Sequence, residues 1–298
     1  MKNILVIGAT GPQGRPVAEK LLAAGFSVRA MVRDPLKAQD LAAKGVEIVK
    51  GDLADVDSVS AAVKGQDGIF MLISFFAGNG AQAKAVIDAA VAQGVKKIVW
   101  NVTGPILPFD TGNPSIDMRR PILAALEKSG IPFVALQPTV YMENFLIPAI
   151  AQEVAEKNVL AYPMPDAVFC QWISHQDAAA YVVAAFKRPD KENLVIEISG
   201  PEKVNGPAIA EQFSTALGRK ITFRPMPPEE FAKAISYGGN EEAIVGYYRS
   251  IFENPAMMTT NVDHLKALQA LPITPMSIED FARFYGAAFN SGNPDRSI

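Results

Sequence analysis

Short apolar runs and helix-period stretches alternate through the N-terminal part of the chain. Lys2-Asn-Ile-Leu-Val-Ile leads straight into Gly8, and an amphipathic stretch from Arg15 to Ala24 follows, closed by Gly25. A glycine just past the last helical position is a common helix stop. Ser27–Val32 then reads as strand, 35–44 as a helix ending at Gly45, and Val46–Lys50 as strand. Asp55 caps a helix that runs to Val63. Gly68–Ile73 is apolar without interruption, the pattern of a central parallel strand covered on both faces. Residues 80–93 form an alanine-rich helix ending at Gly94, and Lys97–Trp100 is a fifth strand. A helix over 116–129 and a strand over Pro132–Gln137 continue the series, and Leu194–Ser199 returns to the same sheet. Strands separated by helices at this spacing make right-handed βαβ units. The expected fold class is α/β, a doubly wound parallel sheet of the Rossmann type.

The texture changes near Pro138. Prolines cluster at 138, 148, 163 and 165, and again at 225, 227 and 228. Helical patterns lie among them at 174–187, 206–217, 228–236, 240–253, 261–270 and 277–290. The expected division is a dinucleotide-binding domain over 1–140, with a return strand near 192–200. A smaller, mostly helical substrate domain spans 141–298.

Composition narrows the function. Of 298 residues, 49% are hydrophobic, enough for a sizeable core. A net charge of -3 gives no electrostatic footprint for nucleic acid. The single cysteine, Cys170, excludes an internal disulfide and a cysteine-based zinc site, and with only His175 and His264 no metal site is expected. The longest uncharged stretch, Gly68 to Ala83, is broken by Gly78, Asn79 and Gly80 and falls short of a membrane span. The first apolar run is too short for a secretory leader. The expectation is a cytoplasmic protein with a small-molecule substrate and neither nucleic acid nor membrane as partner, with a homodimer left open.

The chemistry begins at Gly8-Ala-Thr10-Gly11-Pro12-Gln13-Gly14. After a strand and before a helix, Gly8 permits the tight turn, Gly11 lets a pyrophosphate approach the backbone, and Gly14 lets helix and strand pack closely. Free N–H groups at the helix start hold the phosphate charge. The end of the second strand separates the two nicotinamide cofactors, because an acidic residue there bonds the ribose hydroxyl and an arginine accommodates the 2′-phosphate. Arg33 leaves the strand first, and Lys37 adds a second positive charge one turn on, so NADP (NADPH) is preferred over NAD. Asp34, before Pro35, is read as a helix cap. The alternative makes Arg33 and Lys37 solvated surface charges. Asp52 and Leu53 end the third strand where an adenine edge is met, with a cap as the other reading of Asp52. Ile73 and Ser74 end the fourth, beside the nicotinamide ribose.

These residues resemble a known group. The glycine loop, Met31-Val-Arg-Asp-Pro35, Gly51-Asp-Leu53 and Ala89 to Val99 are similar, in that order, to NmrA-like proteins, the atypical short-chain dehydrogenases. Gln137 to Asn144, Ile173 to Ala178 and Gly200-Pro-Glu202 extend the likeness to about residue 225. The resemblance implies either an NADPH-dependent reductase or a dinucleotide sensor that controls a regulatory protein partner without turnover. Reductases of the group often carry a lysine on the helix after the fifth strand, and that place falls on Arg119, beside Arg120. The tyrosine–lysine pair of short-chain dehydrogenases is absent from all seven tyrosines.

An arginine can stabilise developing oxyanion charge but is a very poor proton donor. Thr103, just after the fifth strand, and Tyr141, after the sixth, join Arg119 as catalytic candidates. The competing reading of Thr103 and Arg119 is a loop hydroxyl and a surface charge. His175 and Asp177 read as capping residues, Cys170 as packing. Tyr237, Tyr247, Tyr248, Phe252, Met257 and Met258 suit either an apolar pocket or core. The functional expectation is an NADPH-dependent reductase that transfers hydride to a small apolar carbonyl, quinone or conjugated acceptor. The alternative is a non-catalytic NADP(H) sensor.

Overall fold

Seven parallel strands build the main sheet in a computed structural model that describes residues 1–73, 80–189, 191–235 and 241–293. They are β1 (Asn3–Ile7), β2 (Ser27–Val32), β3 (Glu47–Lys50), β4 (Gly68–Leu72), β5 (Lys97–Asn101), β6 (Phe133–Pro138) and the return strand Leu194–Ile198. Across the sheet the order is return strand, β6, β5, β4, β1, β2, β3. Every pairing is parallel, including the return strand on β6 (Leu194 beside Val134). The order reverses between β1 and β4, and open sheets of this kind bind their ligands at such a reversal, outside the carboxyl ends of the strands. Ile4 to Ile7, Ile69 to Met71 and Ile98 to Trp100 are buried, as strands covered by helices on both faces require.

Helix α1 (Gly14–Ala23) follows β1. Asp55 caps the helix Val56–Val63 by accepting from the N–H groups of Asp57 (3.1 Å) and Ser58 (3.3 Å). Two stretches expected as single helices divide here, and a third, 277–290, becomes Ile278–Phe284 and Gly286–Ser291. Residues 35–44 start as a 3-10 turn, Pro35–Ala38, and continue as the helix Gln39–Ala43. The 116–129 stretch becomes Pro114–Asp117 and Arg119–Ser129. Pro121 explains the second break: its ring and missing N–H fit only the first turn of a helix, so a helix containing it must begin close by.

The chain forms two compact units. The first comprises Met1–Thr139, His175–Ile198 and His264–Thr274. The second comprises Val140–Ser174, Ser199–Asp263 and the chain from Pro275. Taken by itself, the second unit contains the helices Pro148–Lys157, Gly206–Leu217, Pro228–Ile235, Glu241–Glu253, Ile278–Phe284 and Gly286–Ser291. It adds strands that the hydrophobic pattern does not announce. Val140–Tyr141, Cys170–Ile173 and Lys203–Val204 join in one small sheet, and Val159–Tyr162 pairs in parallel with Thr222–Pro225. Strands of two to four residues are too short for an alternating pattern to register. Aromatic rings fill this unit's core: Phe145 lies 4.5 Å from Trp172, and Phe213 4.9 Å from Phe289, centroid to centroid. Such pairs add to the stabilisation from apolar burial.

Candidate functional site

The glycine loop sits at the carboxyl end of β1, beside the reversal of strand order. Gly8 turns the chain with φ +83°, in the left-handed region that glycine enters without penalty. Its carbonyl oxygen accepts the Gly11 N–H at 3.0 Å, and the Gly11 carbonyl accepts the Arg15 N–H at 3.0 Å. A Cβ on Gly14 would stand 2.2 Å from the Gly8 oxygen, so the close approach of α1 to the loop demands glycine there. Gly11 differs. A Cβ there meets only the Gly8 oxygen, at 3.4 Å, so packing within the protein does not require its glycine. Thr10 and Pro12 are exposed, and Gln13 is half-buried. No side chain caps α1, and its first turn holds no acidic residue. The positive end of its dipole is left for an anion.

Beyond β2, Arg33 and Lys37 are exposed. Every other arginine among the described residues has a hydrogen-bond, ion-pair or electrostatic partner, and Arg33 has none among them. Asp34 accepts the Leu36 N–H at 3.1 Å and caps the turn that follows, the role expected of it. After β3, the Asp52 carboxylate accepts the Ala54 N–H at 2.9 Å, while the Ser58 hydroxyl bonds the Asp52 backbone on both sides. Leu53 is half-buried against the sheet-and-helix core. Ile73 is buried just beyond β4. Ser74 lies outside the described residues.

The loop after β5 is held by side chains. Asn101, 5% exposed, closes the strand. Its Nδ2 donates to Gln13 Oε1 of the glycine loop at 3.2 Å, and its Oδ1 accepts the Thr103 N–H at 3.0 Å. Thr103 has φ +59°, rare for a β-branched residue, and its hydroxyl donates to the Val102 carbonyl at 2.6 Å. Arg119 is buried at 4% exposure. Its Nη2 donates to the Thr103 carbonyl at 3.1 Å and its Nη1 to the Pro105 carbonyl at 2.8 Å. Arg120 repeats the pattern on the carbonyls of Leu107, at 3.2 Å, and Phe109, and it also pairs with Asp110. Asp117 closes the loop by accepting from the N–H groups of Thr111 (2.8 Å) and Gly112 (3.0 Å) and from the Thr111 hydroxyl (2.9 Å). The Thr111 N–H foremost holds the Asp117 carboxyl below its ordinary pKa. The Ile106 N–H reaches Gln137 Oε1 on β6 at 2.6 Å.

Thr103 and Arg119 thus come together through a backbone carbonyl. Tyr141 belongs to the second unit, where it is half-buried and paired in register with Ile173. Neither Asn101 nor Gln137 is among the site residues that the sequence offers. The available signal was an amide closing the apolar run of β5, where a polar side chain needs a partner if buried.

The remaining candidates are buried or lie elsewhere. His175 opens the helix His175–Lys187, and burial pushes its pKa down to about 3. Burial pushes the Cys170 thiol up to about 12, away from the reactive thiolate. Of the aromatic segment, Ser236 to Asn240, including Tyr237, lies outside the described residues. On the helix Glu241–Glu253, Tyr247 and Phe252 are exposed, while Tyr248 packs 4.8 Å from Phe231. Among the described residues no cluster of His, Cys, Asp or Glu is arranged to hold a metal, and no helix is long and apolar enough to cross a membrane.

Comparison with known proteins agrees with this geometry. A sequence model of the NmrA-like family matches residues 1–282. NAD(P)H azoreductase of Xenophilus azovorans is 28% identical over 293 residues, 97% of this chain and 99% of the relative. Two solved structures share the fold. The NADPH-dependent quinone oxidoreductase of Escherichia coli, complexed with NADPH, has a TM-score of 0.76 at 24% identity, over 94% of this chain and 99% of that one. NmrA, a negative transcriptional regulator in complex with NAD, has a TM-score of 0.79 at 20% identity, over 95% and 94%.

Proposed function

The chain belongs to the NmrA-like family, and from that premise we propose that it is an NAD(P)H-dependent oxidoreductase. It passes hydride to a small apolar carbonyl, quinone or conjugated acceptor. The observation that carries this reading is Gly11: a glycine that packing does not require, in a loop at the strand-order reversal, before a helix that no side chain caps. Bound there, the nicotinamide dinucleotide supplies the hydride, and the protein's share is orientation and exclusion of water.

In this reading Gly8, Thr10, Gly11, Pro12, Gln13 and Gly14 form the cradle for the pyrophosphate. Arg33, with no competing partner among the described residues, takes the 2′-phosphate of NADPH, assisted by Lys37. Asp52 and Leu53 border the adenine, and Ile73 and Ser74 the nicotinamide ribose. Thr103, Arg119 and Tyr141 are the catalytic candidates. Residues 141–298, apart from the return strand near 192–200, supply acceptor choice. The single buried cysteine suits the reducing cytoplasm, where we place the protein, acting alone or as a homodimer.

A second reading has an observation in its favour. The Thr103 hydroxyl gives its proton to a backbone carbonyl, and Arg119 is engaged with two more. Neither presents a proton to an acceptor, which suits a dinucleotide sensor with a regulatory protein partner. Loss of NADPH absorbance against a panel of quinones, enones and azo dyes separates the readings. Turnover above background, lowered in Tyr141→Phe or Thr103→Val, supports the reductase and its candidates. Tight NADPH binding without turnover on any acceptor overturns it in favour of the sensor.

A further inference from the structure

Asn101 occupies a position that neither packing nor the strand explains. It ends a strand whose preceding residues, Ile98 to Trp100, are buried and apolar, and it is itself 5% exposed. A buried amide is costly unless both its ends are bonded. Here the two ends face different loops. The Nδ2 group donates to Gln13, between the second and third glycines, and the Oδ1 atom accepts the Thr103 N–H. The chain of bonds goes on through the Thr103 carbonyl to Arg119 and from Arg119 to the Pro105 carbonyl. Four links therefore run unbroken from the glycine loop to the loop after β5.

We infer that Asn101 is a positioning residue that couples dinucleotide binding at the glycine loop to the order of residues 103–105. The inference rests on the dinucleotide reading and holds for reductase and sensor alike. An amide can donate to one loop while accepting from the other. A serine in its place keeps an acceptor for the N–H two residues on but lacks the Nδ2 group that donates to Gln13. A ligand shifts another segment only by as much as it binds the two states of that segment differently. Gln13 is the one member of the relay that lies within the loop that takes the pyrophosphate.

Amide hydrogen exchange with and without NADPH tests the coupling. In the natural protein NADPH slows exchange both in the glycine loop and at residues 103–107, the second by about fivefold, the worth of one net hydrogen bond. In Asn101→Ser the glycine loop still gains protection and residues 103–107 do not. Asn101→Thr, whose β-branch suits a strand end and which also lacks the Nδ2 donor, gives the same separation if Asn101→Ser fails to fold. A purely structural role would raise exchange at 103–107 equally with and without NADPH. Protection at 103–107 that survives in both variants, or is absent from the natural protein although NADPH binds, overturns the coupling alone. No NADPH binding by the natural protein, measured by fluorescence titration, overturns the dinucleotide reading and the coupling with it.

Discussion

The loop after β1 and the loop after β5 lie at the same end of one sheet, yet they are built by opposite means. The glycine loop is made of backbone. Its turn comes from Gly8, its first bond joins two main-chain groups, and its close contact with α1 depends on Gly14 having no side chain. The loop after β5 is made of side chains reaching back to carbonyls: Arg119 on residues 103 and 105, Arg120 on 107 and 109. The first loop is fixed by main-chain bonds and the lack of a Cβ, while the second spends its cations on its own carbonyls.

Substitutions can break this contrast. The largest effect is expected from Gly14→Ala, whose Cβ would fall 2.2 Å from the Gly8 oxygen. Overpacking of that kind costs about 3 kcal/mol or more, and both the denaturation midpoint and NADPH binding should collapse together. Gly11→Ala, beside it, should leave the midpoint nearly unchanged while NADPH affinity falls. If both variants lose stability equally, the two glycines do not have separate roles. Next is Arg119→Met, which leaves the carbonyls of Thr103 and Pro105 without their donors. The expected loss is about 2 kcal/mol in urea unfolding; no loss would mean that the guanidinium is held for a ligand and not for the loop. The smallest effect on stability is expected from Arg33→Ala, within about 0.5 kcal/mol as for other exposed sites. NADPH affinity should drop about tenfold, with NADH unaffected. An unchanged preference for NADPH would remove Arg33 from the cofactor site.

Buried His175 adds a pH test of the first unit. Its folded pKa, about 3, lies below the ordinary histidine value, so its contribution is complete above about pH 6.5. Stability should then fall by about 1.4 kcal/mol per pH unit as the pH drops from there toward 3. A flatter profile for His175→Gln assigns the slope to this side chain; an identical profile assigns it elsewhere.

How much of this was legible follows from the same contrast. Sheet strands and the glycine loop have signatures within a few residues of one another: an apolar run, a glycine spacing, a cap such as Asp55 on its own helix. Their order along the chain and the return of a late strand to the same sheet are readable for the same reason, whereas the place of that strand beside β6 is not. The loop after β5 depends on partners 14 to 16 residues apart, as in Arg119 with Pro105 and Thr103, and on one 88 apart, Asn101 with Gln13. No local pattern encodes those distances, so the sequence presents Arg119 only as a charge and Asn101 only as the residue after an apolar run. The division at Met118 was readable in principle from Pro121, which the helical pattern of 116–129 concealed. The short strands of the second unit form because Cys170–Ile173 finds partners from before and after it in the chain, information that residue type alone does not contain.

The way the chain threads its two units bears on inheritance. It passes from one to the other at 139–140, 174–175, 198–199, 263–264 and 274–275. No single genetic crossover therefore carries away either unit whole, and a chimaera that took the second unit from a relative would need three separate pieces spliced in register. Cassette exchange is closed to such a protein. Either unit therefore changes by substitutions made in place, in a chain whose last sheet strand comes only after the chain has left the first unit and come back.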